Sequence, residues 1–182
     1  METDDRQLIA ELRQENTRDL AFNRLVKTYQ ERLYWHIRKM VLNHDDTDDI
    51  LQNTFVKVWK SIGSFREESK LYTWLYRIAT NETITFLNSK KRRNLLPFND
   101  VSDYLMENLT SDPYFEGDQL QMKLQQAILR LPEKQRIVFN MKYFDDMKYE
   151  EMSHVLDTSV GALKASYHHA VKKIEEFIKN TD

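Results

Sequence analysis

A chain of 182 residues with only 3 Gly and 3 Pro has few ways to reverse direction sharply. Hairpins and tight loops draw on residues that accept positive φ or pre-set a turn, and an all-β fold needs many of them. Their scarcity predicts long helices joined by few turns. The pattern agrees: Leu20, Phe22, Leu25, Val26, Tyr29, Leu33, Ile37, Met40 and Val41 recur at three- and four-residue steps, the period of an amphipathic helix. Hydrophobic residues make up 41% of the chain, enough to build a core. The absence of Cys excludes disulfides, a thiolate nucleophile and Cys-based zinc sites. No apolar run approaches the ~18 residues of a membrane span. The start, Met1-Glu2-Thr3-Asp4-Asp5, is acidic rather than basic-then-apolar, unlike a secretory leader. The expectation is an all-α, cytoplasmic protein with no direct membrane insertion.

The formal net charge of -2 argues at first against a nucleic-acid partner, but it is unevenly spread. Residues 1–93 carry +3, residues 94–118 carry -6 with no Lys or Arg, and residues 119–182 carry +1. The acidic stretch holds Asp100, Asp103, Glu107, Asp112, Glu116 and Asp118 together with Pro97 and Pro113, and reads without a helical period. A structureless run of about 25 residues is uncommon inside one compact domain and ordinary between two. Two small helical modules, 1–93 and 119–182, joined by a flexible acidic linker, 94–118, are therefore expected.

In the first module a helix over 4–14 precedes the long one over 17–43. The run Asp45-Asp46-Thr47-Asp48-Asp49 is expected to supply capping oxygens and negative charge to a third helix ending at Gly63. A fourth runs from Lys70 to the basic cluster Lys90-Lys91-Arg92-Arg93. The second module reads as helices over 118–130, 133–143, 148–156 and 159–179, with Pro132 near a helix start. Only Leu156-Asp157-Thr158-Ser159 separates the last two, which is the sequence form of a helix-turn-helix, with Thr or Ser as the cap.

In the last helix Leu163, Tyr167, Ala170 and Ile174 share one face. The opposite face carries Gly161, Ala162, Ala165, His168, His169 and Lys172, flanked by Lys164 and Ser166. Small residues let a backbone approach a groove floor, and Ser, His and Lys reach base edges or phosphates. Spacing alone describes a plain surface helix equally well. Upstream, Tyr72, Trp74 and Tyr76 fall within five residues beside Arg66, Lys70 and Arg77, with Asn81 one turn on. They cannot all face inward, so exposed aromatic surface beside cations is expected, suited to stacking unpaired bases, with Trp74 as the core member. The run Lys90 to Arg93 suits either a solvated helix end or phosphate contact.

No cofactor, metal or catalytic residue is expected. The acidic run has Ile50 where a calcium loop needs Gly, and His154, His168 and His169 lack Cys partners and an i, i+4 pair. No Gly-rich phosphate loop occurs, and no nucleophile sits in a motif.

Three segments nevertheless resemble a known family, the bacterial RNA polymerase sigma factors of the sigma-70 superfamily, in their extracytoplasmic-function (ECF) group. The run from Asp49-Ile50-Leu51-Gln52-Asn53-Thr54-Phe55 to Trp59 resembles that family's core-binding helix. Phe65-Arg66, followed by Leu71-Tyr72-Thr73-Trp74-Leu75-Tyr76-Arg77-Ile78-Ala79-Thr80-Asn81, resembles its strand-holding element. Leu131-Pro132-Glu133-Lys134-Gln135-Arg136, Tyr149-Glu150-Glu151-Met152 and Ser159-Val160-Gly161-Ala162-Leu163-Lys164 resemble its C-terminal module.

The resemblance implies a sigma factor that binds polymerase core, reads -10 and -35 promoter elements and promotes strand opening. It implies core contacts by Asp48, Asp49, Gln52, Asn53 and Lys57. It implies -10 contacts by Phe65, Arg66, Tyr72, Trp74, Tyr76, Arg77, Asn81, Lys90, Lys91, Arg92 and Arg93. It implies -35 contacts by Ser159, Gly161, Ala162, Lys164, Ala165, Ser166, His168, His169 and Lys172. An anti-sigma partner, often a membrane protein in this family, is implied too, and the linker is expected to thread toward the polymerase active-site cleft. Two arginines usual at the recognition helix are missing here, which predicts weaker or altered -35 binding. The alternative is a helix-turn-helix regulator acting on duplex operators without polymerase; it leaves the Asp49–Trp59 helix and the aromatic cluster without a role.

Overall fold

The computed structural model describes the backbone of residues 2–92, 101–111 and 118–180, with side chains over 5–90, 101–111 and 118–180. Every regular element among them is helical: α1 (Glu2–Leu12), α2 (Arg18–Val41), α3 (His44–Ser61), a 3-10 turn (Ile62–Ser64), α4 (Leu71–Arg92), α5 (Val101–Ser111), α6 (Gln119–Leu129), α7 (Glu133–Tyr143), α8 (Tyr149–Leu156) and α9 (Val160–Asn180).

The helix ends follow from local chemistry. α2 stops at Leu42, whose φ of 55° turns its N–H back to the Arg38 carbonyl. The oxygen that caps α3 belongs to Asn43, whose side chain accepts from the Asp46 N–H at 2.9 Å. The acidic run expected to cap this helix begins inside it instead, where Asp45 and Asp46 act on the helix dipole. Ser159 caps α9 by accepting from the Ala162 N–H at 3.3 Å. With Gly so scarce, the left-handed turn positions fall to Leu42, Glu67, Asp146 and Asp157. Inside the helices the buried hydroxyls of Thr54, Thr80 and Thr83 each donate to the carbonyl four residues back, so none is left unpaired.

α5 corrects the expectation for the acidic segment. Val101, Tyr104, Leu105, Asn108 and Leu109 stand at steps of three, one, three and one, a helical stripe that Asp103 and Glu107 obscure. Leu105 and Leu109 are fully buried, and the Asn108 amide donates to the Val41 carbonyl at 2.8 Å. A stretch read as structureless thus contains a helix docked on the first module.

α2, α3 and α4 pack about Leu25, Leu33, Ile37, Val58 and Leu75, while α6, α7 and α9 enclose Ala127, Ile128, Phe139, Ala170 and Ile174. The larger cluster does not stop at the module boundary. It takes in Leu105 and Leu109 of α5, Met141 of α7, Met152 and Val155 of α8, and Leu163 of α9. α8 lies on α4, and α7 touches α2.

Candidate nucleic-acid interface

The helix-turn-helix presents α9 as the periodicity predicts. Leu163, Ala170 and Ile174 are buried, whereas Gly161, Ala162, Lys164, Ala165, His168, His169 and Lys172 are exposed and Ser166 is half-buried. A Cβ at Gly161 would meet nothing within 4 Å, so the small side chains there leave open space that packing does not require. Lys164 reaches over the Tyr149 ring at 5.7 Å, which sets its ammonium at the edge of the exposed face.

On α4 the aromatic residues divide differently from expectation. Tyr76, not Trp74, is the buried one at 5% exposure; Trp74 and Tyr72 are half-buried. Phe65 and Trp74 lie with ring centroids 4.9 Å apart and form a pair beside an open cleft of about 290 Å³. Ser64, Arg66, Ser69 and Arg77 also line that cleft, and α8 adds His154. Phe65 is itself buried at 5% exposure, so the ring left partly open to a base is that of Trp74, and the rim carries the Glu68 carboxylate as well as the two guanidiniums. Arg66, Arg77 and Asn81 are exposed.

Lys90 is engaged within the chain. Its ammonium donates to Asp46 at 3.3 Å and to the Tyr104 hydroxyl of α5 at 3.3 Å, and Tyr104 in turn donates to Asp46. Burial works against its charge, but Tyr104 and Asp46 win and hold its pKa above the ordinary value. The side chains of Lys91 and Arg92, and Arg93 altogether, lie outside the described residues. On α3, Asp48, Asp49, Gln52, Asn53 and Lys57 are all exposed along one side with Val56, and Lys57 pairs with Glu82.

The cross-module contacts were invisible in the sequence. His36 of α2, 1% exposed, sets Nδ1 2.8 Å from Asp145 Oδ2 and Nε2 2.8 Å from Thr80 Oγ1. The Thr80 hydroxyl hydrogen is given to the Tyr76 carbonyl, and a carboxylate only accepts, so the ring lies between two acceptor oxygens. Lys39 donates to the other Asp145 oxygen at 2.7 Å, and Asn140 donates to the Lys39 carbonyl at 3.3 Å. Burial raises the Asp145 carboxyl, but the donors on His36 and Lys39 outweigh it and hold it below the usual carboxylate range. Tyr76, its ring tilted 46° to that of His36 with centroids 4.6 Å apart, is pushed up to about 12 by burial and the nearby Asp145. Tyr72 is likewise pushed up to about 12 by burial and its hydrogen bond to Glu151 of α8, and Glu151 lies 3.7 Å from Lys70.

Among the described residues no group of three or more His, Cys, Asp or Glu is arranged to hold a metal, and no helix is long and apolar enough to cross a membrane. What stands out is a pair of helical surfaces, one an aromatic and cationic cleft and the other a helix-turn-helix. The Sigma-70 region 2 model matches residues 25–93, and the Sigma-70, region 4 model matches residues 121–174. The ECF RNA polymerase sigma factor SigW of Bacillus subtilis is 31% identical over 171 residues, covering 88% of this chain and 90% of that one. The fold is also that of CnrH, solved with the cytosolic domain of CnrY, at a TM-score of 0.70 and 23% identity over 98% of this chain and 99% of CnrH. The sigma factor RpoE, solved with the anti-sigma factor NepR from Bartonella quintana, gives a TM-score of 0.66 at 20% identity over 87% of this chain and 96% of RpoE. The chain belongs to the ECF RNA polymerase sigma factors, and directs transcription initiation.

Proposed function

We propose how this chain divides that work among its surfaces. The exposed side of α3, with Asp48, Asp49, Gln52, Asn53 and Lys57, docks on polymerase core. The cleft between Phe65, Trp74, Arg66 and Arg77, with Asn81 further along α4, holds the unpaired -10 strand, and Tyr72 and Tyr76 join it when α8 moves aside. Lys90 to Arg93 reach the backbone nearby. α9 enters the -35 major groove with Gly161, Ala162 and Ala165 against the groove floor, and with Ser159, Lys164, Ser166, His168, His169 and Lys172 reaching phosphates and base edges. The modules are residues 1–93 and 119–182, with 94–118 as the connecting segment. The chain acts in the cytoplasm without a catalytic site of its own, and an anti-sigma partner covers these surfaces until it is released.

The observation that carries the reading is the Phe65–Trp74 pair beside two exposed arginines, on a module separate from the duplex-reading helix. One cleft suits single strands and one helix suits duplex, so a promoter is opened by trapping what melting exposes. The experiment is promoter selection from a random-sequence library with the reconstituted holoenzyme, followed by permanganate footprinting. Trp74→Ala and Asn81→Ala are expected to leave initial binding near wild type and to reduce melting. Normal melting in both variants would refute the strand assignment.

A further inference from the structure

The cleft beside Trp74 takes part of its rim from a segment without regular structure, residues 65–70, between the 3-10 turn and α4. That segment is tied to its own neighbours only at its ends. The Phe65 N–H donates to the Ile62 carbonyl at 3.2 Å, and the Trp74 N–H to the Lys70 carbonyl at 3.1 Å. Among the described residues, no backbone group of 66–69 pairs with another backbone group. Yet the loop has a defined shape, with Glu67 at φ 58°, in the left-handed region that a residue with a Cβ disfavours. Such a conformation persists where its surroundings over-determine it. Here the surroundings are Arg13, one residue beyond α1. One guanidinium nitrogen donates to the Phe65 carbonyl at 2.6 Å and the other to the Glu67 carboxylate at 2.8 Å. A planar fork that grips two points of a loop fixes its path, which a single point charge would not. Glu67 is drawn toward Arg13, while Arg66, Glu68 and Ser69 line the cleft beside Trp74. Resting on the strand assignment above, we propose that Arg13 is a positioning residue for promoter-strand selectivity, holding the 65–70 loop so that Arg66, Glu68 and Ser69 face the base on Trp74.

The end of α1 is anchored well enough to serve. Leu12 and Ile9 are buried, Glu11 pairs with Arg24 of α2, and the Thr17 hydroxyl donates to the Glu11 carbonyl at 2.8 Å. The grip adds little to overall stability, because Arg13 and Glu67 keep 40% and 42% of their side-chain surface in water. Its effect falls on placement. Stacking on Trp74 accepts any base, since every base has a π-face, whereas polar groups discriminate between bases only when they are held in position. A loosened loop therefore still stacks a base but ceases to choose it. Arg13 precedes residues 25–93, the part matched to Sigma-70 region 2, so the selectivity of this cleft is set partly from outside that region.

The test compares wild-type and Arg13→Ala holoenzymes of the full chain on promoters selected by the wild type, with each -10 base changed in turn. Rates of open-complex formation give the ratio of preferred to disfavoured base. At the most selective position that ratio is expected to fall about ten-fold with Arg13→Ala, the scale of one base-edge contact, while the urea midpoint and core affinity stay near wild type. Because the chain has no Cys, a nitroxide on Glu68→Cys reports the motion of the loop alone. Its spectrum is expected to become more mobile when Arg13→Ala is added. An unchanged ratio, an equal fall in rate for every base, or an unchanged spectrum overturns the proposal. Failure of the strand assignment has its own signature: Trp74→Ala and Asn81→Ala holoenzymes would melt promoters normally, whatever Arg13→Ala does.

Discussion

Leu105→Ala tests whether the helix within the acidic segment is docked as a unit. Leu105 is 0% exposed and Leu109 is 1% exposed, and beside them the Asn108 amide donates to the Val41 carbonyl at 2.8 Å. Removing the side chain beyond Cβ from such a site costs about 2–5 kcal/mol, the lower end if neighbours collapse into the space. α5 rests on these two leucines, the Asn108 bond and the Tyr104–Asp46–Lys90 cluster. It should therefore open at a lower free energy than the core of α2. Amide hydrogen exchange read by mass spectrometry on peptides over 101–111 should show protection lowered by roughly 1.5–3.5 decades. Peptides around Leu33, at 0% exposure in the middle of α2, should exchange as in the wild type. Unchanged protection over 101–111 would sink the docking argument. Equal losses in α2 and α5 would show that α5 is not a separate unit.

Four further outcomes are expected. Asp157, exposed and held at φ 50° between α8 and α9, should be replaced by Gly with a gain of up to about 1 kcal/mol in denaturant unfolding, because Gly accepts the left-handed region without strain. The depressed Asp145 carboxyl contributes stability that is complete above the ordinary value near 4 and lost as pH falls through its lower folded value; urea midpoints across the acid range should flatten with Asp145→Asn. Tyr76 works in the opposite sense: its contribution is complete below pH ~10 and fades as pH rises toward 12, a loss of about 2–3 kcal/mol that Tyr76→Phe should abolish in alkaline unfolding curves. On α9, Lys172→Ala should weaken holoenzyme binding to -35 duplexes of any sequence and reduce the log–log salt slope by about one. His169→Arg should instead tighten binding on a subset of sequences, by about 1–3 kcal/mol if it gains a bidentate guanine contact.

Local patterns carried most of the helices. The 3.6-residue period through Leu25, Leu33 and Ile37 placed α2, and the short Leu156–Ser159 break placed the turn before α9, because both depend on neighbours in the chain. The face of α9 was legible for the same reason. α5 was missed although its stripe is regular, because acidic residues and the prolines at 97 and 113 dominated the reading of that segment. The exchange of roles between Trp74 and Tyr76 could not be read locally. Tyr76 is buried by His36 and the approach of the second module, contacts that leave no trace in helical spacing. The Asn43 cap went unnoticed beside a run of aspartates that looked better suited to it.

His36 and Asp145 are 109 residues apart in sequence. At a synthesis rate of about 5–20 residues per second, the partner of His36 is made roughly 5–20 s after it. α4 is complete only at Arg92, 53 residues before Asp145, so for roughly 3–10 s of that interval a nascent chain has a first module with its α4 face uncovered, and neither Glu151 nor His154 yet exists to sit against it. Whatever meets the chain on the ribosome, whether polymerase, inhibitor or chaperone, therefore meets an open surface that the finished protein keeps closed.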